Sequence, residues 1–207
     1  TDEMKAVAAS EGVSTEFVAR GVAEGRIVIT KNVAREKGLK PLGIGEGLLI
    51  KVNANIGTSR EICDVERELE KSKVAVAVGA DTLMDLSTGG DIDAIRRRIL
   101  KEVSVPLGTV PIYQAAIESQ TRHGAIVNMT EDDIFNVVER HAKDGVDFMT
   151  VHCGVTKESV ERIIRQKRLL GIVSRGGTFL TAWILHNMAE NPLYKNYDYL
   201  LEIAKEY

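Results

Sequence analysis

Apolar and polar positions along this chain follow two alternating patterns, and the change from one to the other recurs at regular intervals. From residue 49 onward, short apolar or alternating runs give way to stretches with apolar residues three and four apart, which is strand followed by helix. The unit repeats five times. Strands are predicted over residues 49–57, 82–86, 106–110, 147–152 and 171–174. Helices are predicted over 63–78, 91–103, 112–119, 131–144, 157–169, 179–189 and 197–207. Val65, Leu69, Val74 and Val78 form the apolar stripe of the first of these helices. Thr130 stands where an N-cap belongs, with Asp133 at the capping-box position in place of the usual Glu.

Strands separated by helices predict a parallel sheet in an α/β fold. The expected architecture is a (β/α)8 TIM barrel, of which this chain supplies about the first five β/α units. Five units do not close a barrel, and an open sheet leaves edges that natural proteins cover, so the expectation is the front portion of a longer protein. Residues 1–48 read as a separate small α+β region, followed by the barrel part over 49–207. Thr1 and Ser14 are predicted N-caps for short helices over 4–9 and 16–24, residues 26–30 a strand, and the Gly- and Pro-bearing stretch 38–47 a linker.

Composition narrows the class. With 207 residues, 44% hydrophobic and 28% charged, the chain is an ordinary globular protein with one sizeable core. A net charge of −3 offers no basic stripe for nucleic acid. No apolar run approaches the ~20 residues that span a bilayer, and Thr-Asp-Glu-Met-Lys reads as a helix start rather than a signal peptide. Two distant cysteines, Cys63 and Cys153, suit a reducing, cytoplasmic setting and cannot form a cluster motif.

The candidate chemistry sits at the strand ends, where (β/α) barrels build their sites. These tips read Asn-Ala-Asn-Ile-Gly-Thr-Ser (53–59), Asp-Leu-Ser-Thr-Gly-Gly (85–90), Val-Pro-Ile-Tyr-Gln (110–114), Val-His-Cys-Gly (151–154) and Val-Ser-Arg-Gly-Gly (173–177). Alternation places Asn53 and Asn55 on one face, pointing inward, and Val52, Ala54 and Ile56 on the other. Asn55, nearer the tip, is the better ligand donor and acceptor. His152 shares a face with Thr150 at the end of the fourth strand, where an imidazole can donate, accept or carry a proton. His123, His141 and His186 read as surface or packing residues. Arg175 beside Gly176 and Gly177, ahead of a helix, suits a phosphate, and the Ser87–Gly90 stretch is a weaker candidate of the same kind. Cys63 reads as packing at a helix start, and Cys153 as a neighbour of the site. Asp85 is the one acidic residue expected to point inward.

These tips, with the longer runs Ala-Asp-Thr-Leu-Met-Asp-Leu-Ser-Thr-Gly-Gly (80–90), Gly-Thr-Val-Pro-Ile-Tyr-Gln-Ala (108–115) and Gly-Val-Asp-Phe-Met-Thr-Val-His-Cys-Gly-Val (145–155), closely resemble the phosphomethylpyrimidine synthase family over nearly the whole chain. The resemblance implies a radical S-adenosylmethionine lyase of thiamine biosynthesis on a (β/α)8 barrel. Its reaction rearranges 5-aminoimidazole ribonucleotide into hydroxymethylpyrimidine phosphate with release of formate and carbon monoxide. It implies substrate-binding roles for Asn55, Met84, Tyr113, His152, Ser174, Arg175 and Gly176. Met84 is implied by the resemblance alone, since by itself it reads as core. The family's [4Fe-4S] cluster, S-adenosylmethionine and zinc are implied as cofactors, and a homodimer as its assembly.

The chain departs from the family pattern in lacking the later Asp-Gly-Leu-Arg motif, a glutamate, two zinc-binding histidines and the Cys-x-x-Cys-x-x-x-x-Cys motif, so no metal ligand is expected in it. Thr30 also stands where the family's Ile-Val-Ile-Pro stretch has proline. The expectation is the N-terminal half of the enzyme, inactive alone and carrying part of the substrate pocket. The alternatives are a non-radical barrel lyase or isomerase acting on a sugar phosphate, and a non-catalytic ligand-binding half-barrel.

Overall fold

The computed structural model describes residues 1–35 and 39–207. The chain begins with helices α1 (Asp2–Glu11) and α2 (Thr15–Ala23), and both predicted caps are in place. Thr1 accepts from the Met4 N–H at 3.3 Å, and Ser14 from the Phe17 N–H at 3.1 Å, each satisfying a donor that the first turn leaves free. Strands β1 (Ile27–Thr30) and β2 (Leu42–Gly45) pair antiparallel, with Ile27 opposite Gly45 and Thr30 opposite Leu42. The stretch expected to be a linker therefore contains a strand, and its Gly38 lies outside the described residues. The apolar Leu42 and Ile44 find a partner in β1, which composition alone does not reveal. Thr30 is buried, and its hydroxyl donates to the Leu42 carbonyl at 3.3 Å, a bond that proline has no group to make. Val7, Ala8 and Val18 form the core of this region, flanked by Ile29 and Leu48.

The remainder runs β3 (Asn53–Ile56), α3 (Val65–Ala77), β4 (Thr82–Asp85), α4 (Ile92–Glu102), β5 (Leu107–Thr109), α5 (Pro111–His123), α6 (Glu131–Lys143), β6 (Phe148–Met149), α7 (Lys157–Gln166), α8 (Arg175–Asn187), α9 (Pro192–Lys195) and α10 (Tyr197–Glu206). A 3-10 turn, Ile126–Asn128, lies between α5 and α6. The sheet order is β3-β4-β5-β6, with β3–β4 and β4–β5 parallel. The fold is mixed α/β on a parallel sheet.

Three expectations are corrected. Residues 171–174 form no strand: Leu169, Leu170 and Val173 are largely exposed, whereas strands of a parallel sheet are covered on both faces. The fourth strand shrinks to Phe148–Met149, so His152 follows the strand instead of ending it. The first strand begins only at Asn53. Ahead of it Leu49, Ile50 and Val52 are exposed, and the Val52 N–H donates to the Asp81 carboxylate at 2.6 Å.

The stripe on α3 is also different. Val74 and Val78 are exposed, and the buried positions are Glu68, Leu69 and Ser72. Two polar residues are buried because each is bonded. The Glu68 carboxylate accepts from the Gly57 N–H at 2.8 Å and pairs with Lys71 at 2.5 Å, while the Ser72 hydroxyl donates to the Glu68 carbonyl. Cys63 is exposed two residues ahead of α3, which Asp64 caps, so it is neither a helix start nor core.

The chain resolves into two compact units, Thr1–Thr109 with Asp144–Phe148, and Val110–Lys143 with Met149–Tyr207. In the first, Leu83 and Leu107 are fully buried in the sheet, and Ile95 and Ile99 of α4 nearly so. The Arg96 guanidinium, itself fully buried, is held by Asp93 and Asp144, each at 2.5 Å. Asp147, with no exposed side-chain surface, accepts from the Asn32 N–H at 3.0 Å and the Leu107 N–H at 2.9 Å, tying the N-terminal region to the sheet. In the second unit Ile112, Ala115, Ile134, Leu180 and Leu193 are buried, and the Trp183 indole donates to the Met129 carbonyl at 2.8 Å. Thr130 and Asp133 cap α6 reciprocally, as expected: the Asp133 N–H donates to the Thr130 hydroxyl at 3.1 Å, and the Thr130 N–H to the Asp133 carboxylate at 2.9 Å.

Candidate functional site

The sequence-derived residues fall into two groups, one in each unit. In the first unit the strand alternation holds. Asn53 and Asn55 are exposed on one face of β3, with Ile56 buried on the other. Parallel register sets Asn53 beside Thr82, and Asn55 beside Met84, which in turn neighbours Gly108. Neighbours in register share a face, so Met84 lies on the face of Asn55. The alternation within Thr-Leu-Met-Asp (82–85) carried that signal, although Met84 is also nearly buried.

The two asparagines differ in what they do. Asn53 accepts from the Thr82 hydroxyl at 2.8 Å and is committed to the sheet. Asn55 has no hydrogen-bond partner among the described residues, so its donors and acceptor remain open.

Asp85 is corrected. It stands in register with Ile56, on the face opposite Asn55 and Met84. Its carboxylate accepts from the Ser87 N–H at 2.9 Å and the Ser87 hydroxyl at 2.5 Å, and burial pushes its pKa above the usual carboxylate value. The loops after β3 and β4 also bind one another: the Thr58 N–H donates to the Ser87 hydroxyl, the Thr58 hydroxyl to the Gly89 carbonyl at 2.7 Å, and the Thr88 N–H to the Thr58 carbonyl. Gly57, at φ 142°, lets the backbone pass where a Cβ would lie 2.6 Å from the Ser87 nitrogen. The helix after the Ser87–Gly90 loop is capped by the Asp91 carboxylate, which leaves that terminus unsuited to a phosphate.

In the second unit Ser174 is the N-cap of α8, and Arg175, Gly176 and Gly177 form its first turn, four residues earlier than the sequence pattern indicates. The Ser174 hydroxyl accepts from the Gly177 N–H at 3.2 Å. The N–H groups of Arg175 and Gly176 have no intrahelical acceptor, as at any helix start. His152 lies against this turn, its Nε2 3.2 Å from the Ser174 hydroxyl. The fit depends on glycine: a Cβ on Gly176 would stand 2.4 Å from His152 Cε1 and 2.5 Å from Nε2. Burial lowers the His152 pKa and favours the neutral ring, and its Nδ1 is buried without a hydrogen-bond partner. The His152 backbone is pinned by Asn191, whose fully buried amide donates to the carbonyls of His152 at 2.9 Å and Val155 at 3.0 Å. Asn191 went unnoticed in the sequence, where nothing distinguishes it from a helix cap.

Arg175 is exposed, and its guanidinium carbon lies 4.9 Å from the centre of the Tyr113 ring. Tyr113 sits in the first turn of α5, behind Pro111 at its start. No carboxylate pairs with Arg175 among the described residues. The turn thus presents a cation and two first-turn N–H groups together, donors that suit an anion, with the neutral imidazole packed beside them.

His141 is buried against the Gln114 side chain at 2.8 Å, His123 pairs with Asp133 at 3.1 Å, and His186 is exposed. Among the described residues no three His, Cys, Asp or Glu side chains gather into a metal site. Cys153 is half-buried, and burial raises its pKa away from the thiolate that a cluster ligand needs. These residues do not fit an iron–sulfur cluster or a zinc ion. No described helix is long and apolar enough to cross a membrane.

Residues 1–207 match the Radical SAM ThiC family. Proteins named phosphomethylpyrimidine synthase are 60% identical to the chain over 207 residues in Pyrococcus furiosus, 56% over 206 residues in Methanopyrus kandleri and 56% over 207 residues in Desulforamulus reducens. Each alignment covers 100% of this chain and 48% of the relative, so the chain spans about half the length of the curated relatives it matches. A match along all of its residues at this identity makes the chain a member of the Radical SAM ThiC family.

Proposed function

We propose that this chain supplies part of the substrate-binding surface of an enzyme that converts 5-aminoimidazole ribonucleotide into hydroxymethylpyrimidine phosphate. The observation that carries this reading is the first turn of α8. Arg175, the Ser174 cap, His152 seated on Gly176, and Tyr113 beneath the guanidinium are drawn together there. In this reading Arg175 and the free first-turn N–H groups hold the ribonucleotide phosphate. His152, and in the first unit Asn55 with its open amide, are further substrate-binding residues that the family resemblance implies. Met84 offers an apolar contact beside Asn55.

Residues 49–207 then form the opening part of a (β/α)8 barrel, with 1–48 as its lead-in. The ligands for the [4Fe-4S] cluster and S-adenosylmethionine, and for zinc, lie in the remainder of the relatives' length. The working protein is a cytoplasmic homodimer. A non-radical lyase of the kind considered would need a lysine or a carboxylate poised in the pocket, and Asp85, on the opposite face and bonded to Ser87, does not offer one.

The test is turnover by a polypeptide carrying this chain together with the rest of the relatives' length, reconstituted anaerobically with iron and sulfide. Given ribonucleotide, S-adenosylmethionine and a reductant, it should form the pyrimidine phosphate and 5′-deoxyadenosine together. Failure to form the pyrimidine phosphate from the ribonucleotide, with the cluster in place, would refute the proposal.

A further inference from the structure

We infer that Phe179 is a positioning residue for Arg175, acting through the ring of Tyr113. The inference rests on the reading of Arg175 as the phosphate-binding group. Arg175 and Phe179 are four residues apart on α8, so their side chains leave the helix on one face, one turn apart. Both meet the Tyr113 ring. The Arg175 guanidinium carbon lies 4.9 Å from the ring centre, and Phe179 meets the same ring at 6.2 Å between centroids with planes inclined by 73°. That is an edge-to-face pair, in which the electropositive rim of one ring meets the electron-rich face of the other.

The arrangement answers a problem in the site. Arg175 is exposed and has no carboxylate partner among the described residues, so its long side chain would otherwise sample many rotamers. An acidic partner would fix it at the expense of its affinity for an anion. An aromatic ring fixes it and leaves all five N–H donors free. The Tyr113 ring must itself be held. Its backbone is set by the first turn of α5, where the Tyr113 N–H donates to the Val110 carbonyl at 3.0 Å. The ring is only partly buried, and Phe179 restricts its remaining rotation. Because Phe179 shares a helix with Arg175, ring and guanidinium are set by one rigid element.

The test uses the full-length polypeptide with Phe179→Leu and Phe179→Tyr, and two readouts. The first needs no substrate. In protein carrying ¹⁵N-labelled arginine, the Arg175 Nε–H resonance, identified by its loss in Arg175→Lys, should be displaced by the Tyr113 ring current. Phe179→Leu should reduce the displacement and Phe179→Tyr should restore it. An unchanged resonance in Phe179→Leu overturns the inference. The second readout is affinity for the ribonucleotide and for its dephosphorylated nucleoside. Phe179→Leu should weaken ribonucleotide binding about threefold to tenfold, as loss of one aromatic pair implies, with nucleoside binding unchanged and Phe179→Tyr near wild type. Equal weakening for both ligands, or none, would make Phe179 a packing residue only. If Phe179→Leu is too unstable to study, Phe179→Met fills the space without a ring and takes its place. Wild-type protein that binds neither ligand would refute the substrate reading, while the resonance still decides the role of Phe179.

Discussion

Gly176→Ala sets two effects of known sign against each other. Gly176 is the second residue of α8 and has an ordinary helical backbone. By propensity and unfolded-state entropy alone, alanine should stabilise the protein by about 0.5–1 kcal/mol. Against this, the new methyl would lie 2.4–2.5 Å from two atoms of the His152 ring, where carbon contacts are comfortable only near ~3.5–4 Å. Overpacking of this kind costs about 1–3 kcal/mol. A ring that swings aside gives up its bond to Ser174 instead, at about 1 kcal/mol. The net effect of the single change is then a loss of about 0–2 kcal/mol, too variable to decide anything alone. The decisive comparison is made in His152→Ala. With the ring gone, Gly176→Ala should become stabilising by about 0.5–1 kcal/mol. Urea unfolding of the four proteins therefore yields a coupling energy of about 1–3 kcal/mol. Coupling under about 0.5 kcal/mol would mean that the ring does not rest on this turn, and the description of the site would be wrong.

Asn53→Ala should cost about 1 kcal/mol of stability through its bond to Thr82, and Asn55→Ala should stay within about 0.5 kcal/mol while weakening ribonucleotide binding. Paired melting and binding measurements would refute the division of labour if the two behaved alike. Arg96→Met should destabilise by about 3–5 kcal/mol, because it leaves Asp93 and Asp144 without their buried cation, whereas Arg97→Ala, at an exposed site, should change little in the same unfolding assay. His152 has a folded-state pKa below its unfolded value, so its neutral form contributes stability that is present above about pH 6.5 and lost as pH falls through the lowered value. The melting temperature of wild type relative to His152→Gln should fall as pH is lowered from about 7 to about 5, and a relative rise would contradict the burial of the ring.

What could be read in advance was what local chemistry decides. The caps Thr1, Ser14 and Thr130 were legible because a hydroxyl followed by a first turn is a short-range arrangement. Asn55, His152 and Arg175 stood out as polar residues at predicted strand ends; only Asn55 lies on a strand in the fold, and their binding roles remain proposed. What failed was decided by partners distant in sequence. The apolar run before Asn53 resembles a strand, but Ile50 and Val52 meet no neighbour that covers them. Glu68 and Ser72 are buried only because Gly57 and the Glu68 carbonyl bond to them, so a hydrophobic stripe misses them and selects Val74 and Val78. Asp85 looked inward because it is acidic and near a tip, although alternation with Met84 already placed it on the other face. The roles of Asn191 and Phe179 depend on contacts between separate segments, which no local pattern encodes.

The claim that the first turn of α8 holds a phosphate is tested most directly by ligand preference. The polypeptide at its relatives' full length would be titrated with 5-aminoimidazole ribonucleotide and with the dephosphorylated nucleoside, as wild type and as Arg175→Ala. A charge-assisted bond of about 1.5–3 kcal/mol predicts that wild type prefers the phosphorylated ligand and that Arg175→Ala gives up about tenfold to a hundredfold of that preference. Nucleoside affinity should be nearly unchanged. An Arg175→Ala protein that keeps the full preference for the ribonucleotide would show that the phosphate binds elsewhere.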